Sequence, residues 1–243
     1  MAAKPRECRA RVVARRALAA EVLEVDLRME DPPALGFEAG QWVSVPFGSK
    51  TVRAYSIASP PRSSAVITLC ADVAPDGIGS RWFRALAPGQ EVGFKGPLGG
   101  FVYSRSEARR PLFVAEEIGI VPVHSILADL AEPGLGRPVH LVYWARDPSW
   151  LVYDDELGGL AQRQPAFAYH PVVAGPAGTP GHDDAAGRRW SSGTAAAAVD
   201  RLVETVDGLV AYVAGGEATI TAVRDVLMAK GLERKSIKWE KFW

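Results

Sequence analysis

Four polar or aromatic side chains lie close together in the stretch Arg53-Ala54-Tyr55-Ser56-Ile57-Ala58-Ser59. Alternate residues of a β-strand share a face, so a strand here points Arg53 and Tyr55 one way and Ala54 and Ser56 the other. A ligand that carries both a phosphate and a flat ring can then be contacted from one segment. The alternative is an amphipathic strand with a surface arginine and a half-buried tyrosine.

A second candidate for ligand chemistry is Gly77-Ile78-Gly79-Ser80, which follows a predicted strand and opens a predicted helix. The amides at a helix N-terminus lack partners and carry positive partial charge, and glycine lets a phosphate approach the backbone closely. The alternative is an ordinary glycine turn in which Ser80 caps the helix.

The composition excludes several classes of function. Lysine plus arginine and aspartate plus glutamate number 28 each, so no overall charge indicates binding to nucleic acid. Cys8 and Cys70 are the two cysteines of the chain, which predicts neither a disulfide framework nor a metal or iron–sulfur site. His182-Asp183-Asp184 has no further ligand nearby, so we expect no metal there. No apolar run is long enough to predict a membrane span, and we expect a cytoplasmic protein.

The pattern of the chain predicts two domains. Up to about Ser104, short alternating strands between proline and glycine turns predict an antiparallel barrel, interrupted by one helix near 79–86. After residue 110, apolar runs alternate with helical segments, which predicts a parallel sheet of five strands with helices. We therefore divide the chain into domains 1–106 and 107–243. The stretch 174–193 shows no periodicity and is predicted to be a long loop.

The motifs, taken in order, resemble the ferredoxin–NADP reductase family of flavoproteins. Arg53 to Ser59 is similar to its R-x-Y-S-x-x-S signature, and Gly77 to Ser80 to its G-x-x-S segment. The turn 96–101 and the C-terminal residues 239–243 also resemble family segments. The resemblance implies a Greek-key barrel that binds FAD, with FMN the lesser option, followed by a Rossmann-like nucleotide domain.

The resemblance also implies roles for individual residues. Arg53 would meet a flavin phosphate, Tyr55 would pack along the isoalloxazine ring, and Ser56 would lie near the flavin N5. Tyr55 and Ser56 are thus the candidate catalytic residues. The candidate pyrophosphate-binding residues are Gly77, Gly79 and Ser80. The terminal Phe242 and Trp243 would cover a flavin face or stack on the adenine; alternatively they pack into the core as part of a last strand.

The nucleotide side departs from the family. The stretch Glu116-Glu117-Ile118-Gly119-Ile120-Val121-Pro122 stands where relatives have G-G-T-G-I-A-P. Two carboxylates facing a pyrophosphate at about 4 Å would cost roughly 4 kcal/mol at an effective dielectric near 20. Alternatively, the carboxylates occupy the anion site themselves, because acidic groups are favourable at a helix N-terminus. The remaining candidates for nucleotide binding are Gly119, Arg146 and Gly215.

The resemblance therefore implies a flavin-dependent oxidoreductase that passes electrons between NAD(P)H and a one-electron carrier. The expected cofactor is FAD with NAD(P)H as co-substrate, and the expected partner is ferredoxin, flavodoxin or another redox protein. An alternative is a flavin-bearing electron-transfer subunit that has lost NAD(P)H binding and exchanges electrons only with partner proteins. A third option is a scaffold without flavin, against which the intact Arg53–Ser59 stretch argues.

Overall fold

The computed structural model describes residues 4–132, 134–176, 182–183 and 189–242. The chain divides into two compact units. The first contains residues 1–104 together with 121–129, and the second contains residues 105–120 and 130–243. The predicted domains 1–106 and 107–243 are each one continuous segment. In the structure, residues 121–129 belong to the first unit, so the chain returns to that unit once after residue 106.

The first unit is an antiparallel barrel of six strands, as the alternating pattern predicts. The strands are β1 (Arg6–Ala19), β2 (Val22–Asp31), β3 (Trp42–Pro46), β4 (Val52–Ser56), β5 (Val66–Asp72) and β6 (Glu91–Leu98). Their order is β4-β3-β6-β1-β2-β5, with β6 inserted between β3 and β1, as in a Greek key. An antiparallel bridge between Ile57 and Leu69 joins the end of β4 to β5 and closes the barrel.

Alternation of side chains builds the interior of this barrel. In β1, Cys8, Ala10 and Val12 are buried, whereas the intervening Arg9 and Arg11 are exposed. The buried positions of the other strands complete one apolar core. Two-residue alternation of this kind is what a strand with one face on the core requires, so the arginine-rich start of the chain folds as a barrel strand.

Helix α1 (Ile78–Ala85) lies between β5 and β6 in the sequence. It begins after Gly77, whose backbone is extended and which provides no side-chain cap. Phe83 on this helix is fully buried in the barrel core. The helix ends before Leu86, whose extended ψ of 132° breaks the helical geometry two residues before Pro88.

Helix α2 (Ile120–Leu130) is hydrogen-bonded to the end of the Arg53–Ser59 segment. His124 Nδ1 lies 3.0 Å from the carbonyl oxygen of Ala58, and Ser125 Oγ donates to the carbonyl oxygen of Ser59 at 2.7 Å. Ser125 is fully buried, so this hydroxyl has its polar requirement met inside the first unit. These bonds hold in place the chain that follows β4.

The second unit contains a sheet whose strands are β7 (Arg110–Glu116), β8 (Val139–Ala145), β9 (Phe167–Val173), β10 (His182–Asp183), β11 (Arg189–Ser192), β12 (Leu209–Gly215) and β13 (Ile237–Lys241). Their order is β10-β11-β9-β8-β7-β12-β13. All neighbouring pairs are parallel except β10 with β11. Every residue of β12 is buried, as expected of a central parallel strand that is covered on both faces.

The prediction of five parallel strands was one strand short. Residues 174–193 were predicted to form a loop, but Ser191 and Ser192 of β11 pair in parallel with Val172 and Val173 of β9. The residues between 177 and 181 and between 184 and 188 lie outside the described part of the chain. Strand β11 has no apolar run of its own, so only its pairing with β9 identifies it.

The helices of the second unit are α3 (Asp154–Arg163), α4 (Ala195–Leu202) and α5 (Glu217–Ala229). Thr194 caps the N-terminus of α4, because its side chain accepts a hydrogen bond from the amide of Ala197. Ala198 and Val199 of α4 share an apolar cluster with Val223 and Leu227 of α5 and with the strand residues of one sheet face. This arrangement of helices on a parallel sheet is the Rossmann-like architecture expected from the sequence.

Candidate flavin and nucleotide sites

Strand β4 carries the first candidate residues. Its register with β3 places Tyr55 opposite Val43 and Ser56 opposite Trp42. Arg53 is exposed, whereas Tyr55 and Ser56 are buried, with 9% and 5% of their surface accessible. The arginine therefore stands at the surface end of the strand and the tyrosine and serine lie farther in.

Gly79 brings the two candidate segments together. A Cβ placed on this residue would lie 2.5 Å from Tyr55 Oη and 3.3 Å from Arg53 Cγ. Both side chains therefore point to the same side of β4, as the alternation predicts. The first turn of α1 approaches them so closely that only glycine fits without displacing the tyrosine. The structure thus combines the Arg53–Ser59 stretch and the Gly77–Ser80 stretch into one site.

An aromatic cluster supports Tyr55 from the barrel side. Its ring centroid lies 5.6 Å from that of Trp82 and 5.3 Å from that of Phe83, and Trp82 also meets Phe47 edge to face at 5.5 Å. Burial raises the pKa of the Tyr55 phenol to about 12, against the opposing charge of Arg53. Trp82 is a site residue that the sequence analysis missed, although its position two residues after Ser80 on the helix was available as a signal.

The N-terminus of α1 is open to an anion. No side chain caps it, and the first helical backbone bond runs from the Arg81 amide to the carbonyl oxygen of Gly77. The amides of Ile78, Gly79 and Ser80 precede that bond and thus have no partner within the helix. Amides of this kind, together with the helix dipole and the nearby exposed Arg53, suit a phosphate or pyrophosphate.

The surface around this site also suits a large, partly apolar cofactor. Val52 on β4 is 58% exposed and Ile78 at the start of α1 is 40% exposed, which makes both unusually accessible for large apolar residues. They flank Arg53 and Gly79 in the sequence. Exposed apolar side chains beside convergent polar groups are typical of a ligand site. The residues present therefore fit a flavin nucleotide, with donors for the phosphates and apolar surface beside them.

In the second unit, β7 is the point at which the order of the strands reverses. Strand β8 continues the sheet on one side of β7, and β12 lies on the other side. Ligands of open α/β sheets bind outside the carboxyl ends of the strands at such a switch point. The residues that follow β7 and β12 are Glu117 to Gly119 and Gly216 to Glu217, so the sequence-predicted candidates Gly119 and Gly215 both lie at the expected edge.

The protein itself uses both glycines at this edge. A Cβ on Gly119 would lie 2.3 Å from the carbonyl oxygen of Ala214. A Cβ on Gly215 would lie 2.7 Å from both Cβ and Oε2 of Glu116. The two glycines are thus required for the packing of β7 against β12 and for the side chain of Glu116. Their role in nucleotide binding stays a prediction.

The two glutamates turn inward. Glu116 Oε2 accepts a hydrogen bond of 2.7 Å from the amide of Gly216, the N-cap residue of α5. Glu117 is buried and forms a two-pronged ion pair with the guanidinium of Arg146, whose amide also donates to Glu117 Oε1 at 3.2 Å. The side chain of Glu117 is 4% exposed and that of Arg146 is 55% exposed.

These contacts differ from the arrangement expected from the sequence. Two bare carboxylates were expected to face a pyrophosphate, but Arg146 neutralises Glu117. Glu116 and Glu117 instead occupy hydrogen-bond donors at the edge where a dinucleotide is expected. Removing Arg146 alone would leave a buried unpaired carboxylate, which typically costs about 3–5 kcal/mol.

Two tryptophans complete this edge. The guanidinium carbon of Arg146 lies 4.4 Å from the ring centroid of Trp150, a cation–π contact that the sequence analysis missed. Trp144 Nε1 donates to the carbonyl oxygen of Gly193 at 2.9 Å, which ties the end of β8 to the chain after β11. Arg146 is thus held from two sides, by Glu117 and by Trp150.

Of the remaining residues singled out from the sequence, the structure describes some and not others. The amide of Phe242 donates to the carbonyl oxygen of Gly215 at 3.1 Å, so the C-terminal segment runs beside β12. Trp243 and Asp184 lie outside the described residues. Within the described ranges, His, Cys, Asp and Glu side chains nowhere gather in threes that could hold a metal ion. Among the helices of those ranges, none is both long and apolar enough to cross a membrane.

Comparison with known proteins gives the family. Residues 9–103 match the model of the oxidoreductase FAD-binding domain. The chain is 30% identical over 245 residues to ferredoxin–NADP reductase B of Sorangium cellulosum, covering 96% of each chain. It is 31% identical over 219 residues to the ferredoxin–NAD(P)(+) reductase component of naphthalene 1,2-dioxygenase/salicylate 5-hydroxylase systems of a Ralstonia species. That match covers 89% of this chain and 64% of the relative.

The solved structures agree on the fold. A ferredoxin–NADP⁺ reductase from Neisseria gonorrhoeae, solved with bound FAD and NADP, superposes with a TM-score of 0.78 over 99% of this chain and all of its own length. Its sequence identity to this chain is 19%, so it supports the two-unit architecture rather than individual contacts. With the barrel, the site at Gly79 and the reductase relatives in agreement, the chain belongs to the ferredoxin–NADP reductase family of FAD-binding oxidoreductases.

Proposed function

We propose that this protein is a FAD-dependent oxidoreductase that passes electrons between NAD(P)H and a one-electron protein carrier such as ferredoxin or flavodoxin. The observation that carries the proposal is the junction at Gly79, where the first turn of α1 meets Arg53 and Tyr55 of β4. The junction combines phosphate donors with an aromatic ring in one place. The reductase relatives described above support the same reaction.

Each residue of the site has a proposed part in binding. Arg53 would bind a flavin phosphate through its guanidinium, and the segment containing Gly77, Gly79 and Ser80 would bind the pyrophosphate through backbone amides. Tyr55, backed by its aromatic cluster, would contact the isoalloxazine ring, and Ser56 would be the neighbour of the flavin N5. A bound flavin supplies two-electron chemistry with a hydride donor and one-electron chemistry with a carrier, and the protein orients and tunes it.

Each domain has its own proposed role. Residues 1–106 are proposed as the flavin domain and residues 107–243 as the nucleotide domain, although the compact units of the structure place 121–129 with the first. Gly119, Arg146 and Gly215 are proposed to lie at the nucleotide edge. Phe242 and Trp243 are proposed to cover the cofactor. The cytoplasmic location expected from the sequence also stays part of the proposal.

A second candidate function is a flavin-bearing electron-transfer subunit that exchanges electrons with partner proteins alone. Two contacts favour it: the ion pair between Glu117 and Arg146, and the hydrogen bond that Glu116 accepts from the Gly216 amide before α5. These contacts occupy the edge at which a dinucleotide is expected.

The anaerobic absorbance spectrum separates the two candidates. The purified protein should be yellow, and NADH or NADPH should bleach it within seconds if it is the reductase. A yellow protein that stays oxidised with both nucleotides, yet donates electrons to a carrier after reduction by dithionite, is the subunit. A colourless protein that takes up no added FAD would refute both.

A further inference from the structure

We propose that Glu116 and Glu117 set the nucleotide affinity of the second unit by acting as internal competitors for the phosphate-binding groups. This inference rests on the proposed function, because it concerns the site at which the pyridine nucleotide would enter. Displacement of these two carboxylates from their partners is then a required step of nucleotide binding.

Glu116 competes for the start of α5. Helix α5 follows β12, the neighbour of the switch-point strand β7, so its first amides point to the edge where a dinucleotide is expected. Glu116 Oε2 accepts from the Gly216 amide at 2.7 Å, at the position where a phosphate oxygen would otherwise accept. Glu217, in the first turn of α5, is paired with Lys241 at 2.6 Å, so Glu116 is the carboxylate that competes with a phosphate for the amide at this helix start.

Glu117 competes for Arg146. The guanidinium donates to both carboxylate oxygens of Glu117, through Nε and Nη2. A planar group that donates two parallel hydrogen bonds would suit a phosphate equally well. The guanidinium is already oriented, because its carbon lies 4.4 Å from the ring centroid of Trp150, and the side chain is about half exposed. Release of Glu117 would therefore leave a pre-positioned cation at the end of β8.

The backbone shows that glycine can replace Glu117. Glu117 has a φ of 46°, in the left-handed region that side-chain-bearing residues rarely adopt and glycine adopts readily. The buried ion pair holds the residue there. Glu117→Gly thus removes the competing carboxylate while keeping the local backbone path, and Glu116→Gly empties the space beside Gly215.

The test uses two double variants of the full FAD-loaded chain. The first is Glu116→Gly with Glu117→Gly, which removes both side chains. The second is Glu116→Gln with Glu117→Gln, which keeps their volume and removes their charge. Glu107→Gln is the matched control. Glu107 pairs with Arg109 in the same unit but lies before the start of β7, whereas Glu116 and Glu117 lie at its end. Calorimetry measures the Kd for NADH and NADPH, and thermal melts and the FAD spectrum report folding.

The double glycine variant should bind at least one nucleotide about 10- to 100-fold more tightly than wild type, the size of a recovered charge-assisted hydrogen bond. The Kd of the double glutamine variant should lie between those of wild type and the double glycine variant, and the Kd of the Glu107→Gln control should equal that of wild type. The proposal is overturned if the folded variants bind no tighter than wild type, or if the control gains as much.

If the double glycine variant fails to fold, the double glutamine variant decides the question alone. A lower Kd for NADH or NADPH than in wild type supports the proposal, and an unchanged Kd overturns it. Different results would refute the proposed function. A wild-type protein that holds no flavin, or whose reduced flavin passes no electrons to ferredoxin, flavodoxin or another one-electron carrier, refutes that function whatever the nucleotide affinities are.

Discussion

Arg53→Ala should weaken FAD binding without weakening the fold. The side chain is exposed, and the hydrogen bond that the structure shows for it goes to the carbonyl oxygen of the preceding Val52, at 2.9 Å. Such a surface contact contributes little to stability, so the free energy of unfolding should change by less than about 0.5 kcal/mol. A phosphate contact, by contrast, is charge-assisted and is worth roughly 1.5–3 kcal/mol. The Kd for FAD should therefore rise by about 10- to 150-fold.

Titration of the apoprotein with FAD, followed by quenching of flavin fluorescence, measures this Kd. Arg28→Ala is the control, because Arg28 is an exposed arginine of the same barrel, on β2. Both variants should melt at nearly the wild-type temperature. If Arg53→Ala retains FAD as tightly as wild type and Arg28→Ala, then Arg53 is a surface arginine and the assignment of the phosphate to β4 is wrong.

Three further predictions concern the same unit and the C-terminus. Gly79→Ala should displace the Tyr55 ring by overpacking and cost about 1–3 kcal/mol, seen as a lower Tm and a changed flavin spectrum; an unchanged spectrum would contradict the close approach. The pKa of Tyr55 is raised to about 12, so the stability that depends on its neutral form is present below pH 10 and should be lost between about pH 10 and 12. Denaturant titrations should show this loss in wild type and a smaller one in Tyr55→Phe; equal slopes would contradict the burial. Deleting Phe242 and Trp243 should alter the flavin spectrum or affinity and keep most of the Tm, whereas a large fall in Tm with an unchanged flavin would show that they pack in the core.

Much of the fold was readable from local pattern. The strand and helix positions follow from two- and near-four-residue periodicities and from proline and glycine breaks, which act over a few residues. For example, the sequence pattern predicts strands at 139–145 and 167–173 and a helix at 154–163, and β8, β9 and α3 have these same bounds. The short strand β11 was missed because Arg189 to Ser192 carries no such pattern and depends on its partner β9.

The site divides in the same way. The sequence by itself determined which residues of β4 and α1 are candidates, because the alternation of a strand and the unpaired amides of a helix start are local properties. Only the tertiary structure decided that Gly79 meets Tyr55, and that Glu116 bonds Gly216, 100 residues away. It also decided that Glu117 is paired with Arg146 rather than bare. Partners so far apart in sequence are chosen by packing and by the need to satisfy buried charge, which no local pattern encodes.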